Sequence, residues 1–230
     1  MADWTSHARR EQERYRDGAS RLPGTEDHDA RQRQLTRMGN AAAGAGLAEL
    51  MDGNTAAARE WFARAVDRYR ESWDDAPVGS WGRPIGMLKA DLLGEDWDGA
   101  VRDAAWTLGL GAAEAESPIG RYAACLALLV LGRDEEARVL ADGLRTHEGF
   151  PSDVGDALAT IAARDPVDYT EAVESVLASF ESREEYLEDL PVADTVLVLQ
   201  ALAARRGLAA ELSSPLLPTT GVRPLRGQTP

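Results

Sequence analysis

One short pattern recurs four times along the chain and constrains its fold more than any other feature. In each copy, a turn containing Gly or Asp is followed by an alanine that opens a stretch with apolar residues at helical spacing. The alanines lie 42, 37 and 35 residues apart, which is a period typical of stacked helical repeats. They are Ala58, Ala100, Ala137 and Ala172.

A second helical stretch precedes each turn, so the predicted unit is helix, short turn, helix. A Gly or Asp ends the first helix because it tolerates a left-handed backbone, and a short polar side chain can cap the next helix. Two antiparallel helices approach closely only where one carries a small side chain, so we expect the four alanines to be contact points. The first helices are expected at about 30–51, 83–93, 119–131 and 152–164, and the candidate caps are Asn54, Asp96 or Asp98, Asp134 and Asp168.

The pattern resembles tetratricopeptide (TPR) repeats over about residues 39–180. The resemblance implies an all-α fold, in which α-α hairpins form a right-handed solenoid. The sequence departs from the family pattern at the end of the first unit, where the closing proline comes late, at Pro77. The similarity is best in that unit, where Gly46 and Ala48 fall in the first helix, Gly53 and Asn54 in the turn, and Ala58, Phe62 and Ala65 in the second helix.

The ends of the chain differ from the repeats. Residues 1–38 read as a charged helical N-terminal extension, and residues 39–180 as four TPR-like units. Residues 181–212 contain an acidic turn and then an apolar helix, expected from Pro191 to Arg206, that should be buried as a capping helix. Residues 213–230 contain four prolines and no acidic residue, and we expect them to be disordered unless bound.

The TPR resemblance also implies a groove lined by the first helices of successive units. At the matching positions this chain is mostly apolar, and Lys89 is its only lysine. An apolar groove cannot face water in bulk, so something must cover it. The candidates are a helix of a partner, another subunit, the chain's own helix at 3–19, or its tail. The groove residues that we predict to bind a partner are Leu50, Ile85, Lys89, Tyr122 and Leu126.

An aromatic segment interrupts the repeat between the first two units. Two Trp, two Pro and three Gly gather between Trp73 and Gly86, and five of the six Trp lie within 61–106. The rings either fill space between units or, with Arg83, form an interface anchor at the rim of the groove. On the second interpretation the candidate partner-binding residues are Trp73, Trp81 and Arg83.

Charge and composition exclude several classes of function. The net charge is −14, and residues 41–212 carry 32 acidic and 15 basic residues, so binding to nucleic acid phosphates is disfavoured. A single cysteine excludes an internal disulfide, and three scattered histidines give no metal site. No signal peptide, membrane span or catalytic motif is visible, so we expect a cytoplasmic protein without a cofactor or metal.

The favoured hypothesis is therefore a non-catalytic protein-protein interaction scaffold that holds a peptide or an amphipathic helix in an apolar groove. Self-association is compatible with the same surface. The alternative is an acidic antagonist, similar to an immunity protein, that covers a basic surface of a partner. A small-ligand binder or an enzyme is disfavoured, because either needs convergent polar groups in a deep pocket.

Overall fold

The computed structural model describes residues 3–219, apart from the side chain of Leu187. This part of the chain contains ten α-helices, three short 3₁₀ turns and no strand, which confirms the all-α class. The helices are α1 Trp4–Arg21, α2 His28–Met51, α3 Thr55–Trp73, α4 Gly82–Leu93, α5 Trp97–Gly109, α6 Pro118–Val130, α7 Asp134–Arg145, α8 Ser152–Ala163, α9 Pro166–Glu181 and α10 Asp194–Ala204.

Neighbours in sequence are neighbours in space from α1 to α9, since each helix packs against the next. The helices α2, α4 and α6 also contact one another in order, so they form one layer. The last helix breaks the sequence order, because α10 returns to pack against α4 and α8 as well as α9. Helix α2 crosses the predicted boundary at residues 38–39, so the N-terminal extension and the first repeat share a helix.

Four helix-to-helix turns share one backbone geometry. In each, a single left-handed residue follows the first helix, and the next amide donates to a carbonyl five residues back, as Asn54 does to Glu49 over 2.8 Å. Glycine fills the left-handed position in two turns, as expected, and a larger residue fills it in the other two. The four left-handed residues are Gly53, Glu95, Gly132 and Arg164.

The predicted helix caps are confirmed at one position only. Asp96 accepts a hydrogen bond of 2.9 Å from the Gly99 amide at the start of α5. The Asn54 side chain instead donates to Glu49, and α9 is capped by Asp165 and not by Asp168. Asp134 is the first residue of α7, where its carboxylate faces two arginines.

Small residues set the spacing between helices. All four repeated alanines are buried, as expected of contact points. Glycine serves the same purpose around Tyr69 of α3, whose ring lies between α2 and α4. A Cβ added at Gly39 or at Gly86 would lie 2.7 Å from atoms of this ring. Only a residue without a side chain lets the two helices close on the tyrosine.

The C-terminal part of the chain packs into the body. Helix α10 begins at Asp194, three residues later than predicted, and its apolar side chains are buried as expected of a capping helix. Leu216 and Leu217 are also buried, and the Leu216 carbonyl accepts a hydrogen bond of 3.0 Å from the Ala193 amide. Residues 213–219 are therefore held by apolar contact, unlike the disordered tail predicted from Ser213. The rest of that predicted tail, 220–230, lies outside the described residues.

Candidate functional site

A cleft of about 650 Å³ opens between the layer formed by α2, α4 and α6 and the segment that connects α9 to α10. The three layer helices contribute its apolar wall. The connecting segment contributes Arg183 and Glu188, and the end of the aromatic loop lies at one side. Its half-buried or exposed apolar residues include Leu47, Trp81, Ile85, Leu93 and Ile119, and its polar residues include Asn40, Tyr69, Lys89, Tyr122, Glu188 and Asp194.

The structure brings five of the eight predicted binding residues to this cleft. They come from the aromatic loop, from α4 and from α6, which are separated in sequence but adjacent in the fold. Three of them lie on one face of α4 or just before it, so helical spacing alone places them together. The five residues are Trp81, Arg83, Ile85, Lys89 and Tyr122.

The other three predicted residues lie elsewhere. Leu126 is 0% exposed in the core, so we correct its assignment as a partner-contacting residue. Trp73 packs against Trp106 and Trp81, with ring centroids 5.4 and 6.0 Å apart, and so belongs to the aromatic cluster behind the cleft. Leu50 is half-buried against the core. For Trp73, therefore, the space-filling interpretation describes its position.

Lys89 is held at the cleft by the start of α10. Its ammonium donates to Oδ2 of Asp194 over 2.6 Å and to the Thr195 hydroxyl over 3.1 Å. Burial would lower the pKa of Lys89, but the Asp194 carboxylate outweighs burial, and the pKa is raised above its ordinary value. Lys89 thus stays charged and is neutralised within the chain.

Arg83 is held differently. Its Nε donates to the Ser72 hydroxyl over 3.0 Å and its Nη2 donates to the Gln32 side chain, both of which are neutral acceptors. Within residues 3–219 no acidic side chain pairs with it. Desolvation lowers the pKa of the Arg83 guanidinium, which still carries its charge at neutral pH.

A polar network that the sequence did not reveal closes the far side of the cleft. The Tyr69 hydroxyl donates to Oδ1 of Asn40 over 3.0 Å, and the Asn40 amide donates to Glu188 over 3.2 Å. Arg14 of α1 pairs with the same Glu188 carboxylate, and Arg10 donates to the Glu188 carbonyl over 2.5 Å. The connecting segment is therefore fastened to α1 and α2, across 148 residues of sequence between Asn40 and Glu188.

The predicted groove is covered by the chain itself over part of its length. The cover is α10 with Leu190 and Val192, which are buried or line the cleft. We had considered two internal covers, the helix at 3–19 and the tail. Within the described residues neither covers the groove: α1 packs on α2, and Leu216 packs beside Ala193.

Comparison with known proteins yields no relative. No protein-family model, no curated protein and no solved structure matches the chain. Within residues 3–219, none of the helices combines the length and the apolar character needed to cross a bilayer. The same residues bring together no group of three His, Cys, Asp or Glu side chains suited to a metal ion.

Proposed function

We propose that this protein is a non-catalytic protein-protein interaction scaffold, whose cleft receives an apolar segment of a partner protein. We further propose that its helices form a TPR-like, right-handed array capped by α10. The observation that carries the proposal is the cleft itself, where half-buried Leu47 and Ile85 and exposed Ile119 converge beside Trp81. Exposed apolar residues that converge on one concave site are typical of binding surfaces.

The size of the cleft favours a short occupant. Its volume of about 650 Å³ lies within the range of about 300–1,000 Å³ found for ligand sites. A long groove for a whole helix is not open, because α10 already lies against α4 and α8. We therefore propose a short peptide, or the few anchoring side chains of one amphipathic helix, as the bound element.

The charges at the cleft favour a carboxylate on the bound segment. Both of its principal acidic groups are neutralised within the chain, Asp194 by Lys89 and Glu188 by Arg14. Arg83 and Arg183, which also line the cleft, have no acidic partner within residues 3–219. The cleft is thus locally positive on a protein of net charge −14, and a partner with an acidic side chain beside its apolar anchor complements it.

The one cysteine is not placed for covalent chemistry. Burial raises the pKa of the Cys125 thiol to about 12, so the reactive thiolate is scarce at neutral pH. The thiol also lies on α6 in the protein core and not at the cleft.

A peptide-display experiment with a matched pair of variants tests the proposal. Ile119 lies at the cleft and is 42% exposed, whereas Val101 on α5 is 44% exposed and outside the cleft. Random short peptides are panned against the wild type, and each enriched peptide is then measured against Ile119→Asp and Val101→Asp by calorimetry. We expect apolar peptides with an acidic residue to bind the wild type and Val101→Asp with a negative heat-capacity change, and to bind Ile119→Asp at least tenfold more weakly.

Two outcomes oppose the proposal. Failure of the wild type to enrich any peptide, or equal binding by the two folded variants, removes the cleft as the site. The alternative of an acidic antagonist gives a different result, since enriched peptides would be basic and their association rate would fall steeply with added salt. That alternative uses the acidic surface of residues 41–212 and does not require Ile119.

A further inference from the structure

Two carboxyl groups, one on α4 and one on α5, are buried within hydrogen-bonding reach of each other between these helices. Asp91 is 4% exposed and Asp103 is 6% exposed. The Oδ2 atom of each carboxylate is buried and accepts no hydrogen bond. A buried carboxylate oxygen without a partner is costly, and two such oxygens side by side are more so, because like charges repel.

The neighbouring cations neutralise only one of the two charges well. Oδ1 of Asp103 pairs with Arg70 of α3, whose guanidinium also stacks over the Trp106 ring at 3.8 Å. Asp91 has no ion pair within residues 3–219. Arg102 on α5 also faces Asp91 and favours its charged form, whereas the Asp96 carboxylate at the start of α5 opposes it.

A hollow of about 510 Å³ borders Asp91 on its other side, between α3 and the turn that joins α4 to α5. Its charged residues are Arg59 and Glu95, which form an ion pair with each other, and Asp96, whose carboxylate caps α5. These groups are therefore already engaged, and none of them satisfies the Oδ2 atom of Asp91.

We propose that Asp91 and Asp103 form a buried proton-binding site, in which one shared proton joins their Oδ2 atoms and holds α4 against α5. The Asp91 hydroxyl donates to the Asp103 carboxylate, so a single proton satisfies both unpartnered oxygens and removes one of the two like charges. Loss of this proton leaves two buried carboxylates that repel each other across the helix pair. Water then has access to Asp91 through the adjacent hollow, and the contact between α4 and α5 loosens.

The pKa values agree in direction with this arrangement. Desolvation and the neighbouring Asp103 charge raise the pKa of Asp91 to about 8, and desolvation also raises the pKa of Asp103. In the unfolded chain an aspartate titrates near 3.9, as an approximate reference value. The folded protein therefore binds one more proton than the unfolded chain between these limits. The contribution of this carboxyl pair to stability is therefore complete below about pH 4, falls as pH rises from there, and is lost above about pH 8.

The test compares three proteins by denaturant unfolding between pH 5 and 9. Asp91→Asn keeps a donor for Asp103 but cannot ionise, and Asp98→Asn is the matched control because Asp98 lies exposed on α5. For the wild type and the control, we expect the equilibrium constant for folding to fall by up to about tenfold per pH unit between pH 5 and 7. For Asp91→Asn we expect this dependence to be lost.

Infrared spectroscopy of the native protein provides a second measurement, which does not depend on the stability of the variant. At pH 6.5 the wild type should show the carbonyl band of a protonated carboxylic acid, and the band should vanish as pH is raised above 8. Absence of the band at pH 6.5 would overturn the proposal. A folded Asp91→Asn with the same pH dependence as the wild type would overturn it as well. Neither result bears on peptide binding at the cleft, so this proposal and the proposed function fail independently.

Discussion

The Lys89 ammonium on α4 lies 2.6 Å from Oδ2 of Asp194, the first residue of α10, and this ion pair joins positions 105 residues apart. Both side chains are mostly buried, and Thr195 supplies a second acceptor for the lysine. The pair fixes the start of α10 at the cleft. It also explains why the only lysine of the chain does not serve there as a free cation.

Replacement of Lys89 by Met tests how strongly this pair holds α10. The change leaves the Asp194 carboxylate without its counter-ion, and we expect it to lower the free energy of unfolding by about 1–3 kcal/mol. Arg145→Met is the matched control, because Arg145 pairs with Asp156 over 2.8 Å while both side chains remain over 40% exposed. That loss should be at most about 1 kcal/mol. Equal losses in denaturant unfolding would show that the Lys89 pair is no stronger than a surface pair.

Substitutions at two equivalent left-handed turn positions should change the free energy of unfolding in opposite directions. Glu95 and Arg164 adopt φ of 58° and 57°, which favours glycine. Glu95→Gly should therefore raise the free energy of unfolding by about 1 kcal/mol, reduced slightly by loss of its exposed pair with Arg59. Gly132→Ala, at a φ of 71°, should lower it by a similar amount. The melting temperatures of the two variants test this prediction, and a shift of both in the same direction would contradict it.

The turns were predictable because their signal is local. A left-handed residue, a following polar residue and a small contact residue lie within a few positions of each other, and every repeated alanine is buried as expected. Where the turn used Glu95 or Arg164 in place of glycine, the same backbone geometry formed without the expected residue. Backbone hydrogen bonds and packing on both sides hold these residues in the left-handed region despite its cost.

The cleft was predictable in part. Trp81, Ile85 and Lys89 meet there because they lie on one face of α4 or just before it. Leu126 was misplaced because α6 is apolar on every side, with buried residues from Tyr122 to Leu129, so its sequence carries no signal for the face that meets solvent. The pairing of Asn40 with Glu188 spans 148 residues and leaves no local pattern. Long-range pairs of this kind follow from the path of the chain.

Two glycine-to-alanine substitutions distinguish the effect of close packing on stability from the effect of helix propensity. At Gly86 the added methyl group would lie 2.7 Å from the buried Tyr69 ring, so we expect a loss of about 1–3 kcal/mol from overpacking. At Gly143, in the last turn of α7, nothing lies within 4 Å of the added atom. There the alanine should stabilise the helix by up to about 1 kcal/mol. Destabilisation of both variants in urea would mean that the contact with Tyr69 is not what requires a glycine at Gly86.

Asp134 gives the chain a stabilising contact that is lost at acidic pH. It is the first residue of α7, and its Oδ1 lies 2.5 Å from Nη2 of Arg206 while its Oδ2 lies 2.9 Å from Nη2 of Arg164. Burial would raise the pKa of the Asp134 carboxyl, but the hydrogen bonds and charges of the two arginines together lower it. Because the folded pKa lies below that of the unfolded chain, this contribution is complete above about pH 4 and is lost as pH falls further.

Arg206→Met should therefore destabilise the protein most at neutral pH. Arg206 is almost fully buried and also donates to the Leu129 carbonyl over 2.7 Å, so we expect a loss of about 1–3 kcal/mol at pH 7. The difference from the wild type should shrink below pH 4, as Asp134 becomes protonated in both proteins, and the part due to the Leu129 bond should remain. Arg164→Met is the control, since that side chain is 66% exposed and its loss should be at most about 1 kcal/mol. A difference between wild type and Arg206→Met that stays constant from pH 7 to pH 3 would show that Arg206 acts through the backbone carbonyl and not through Asp134.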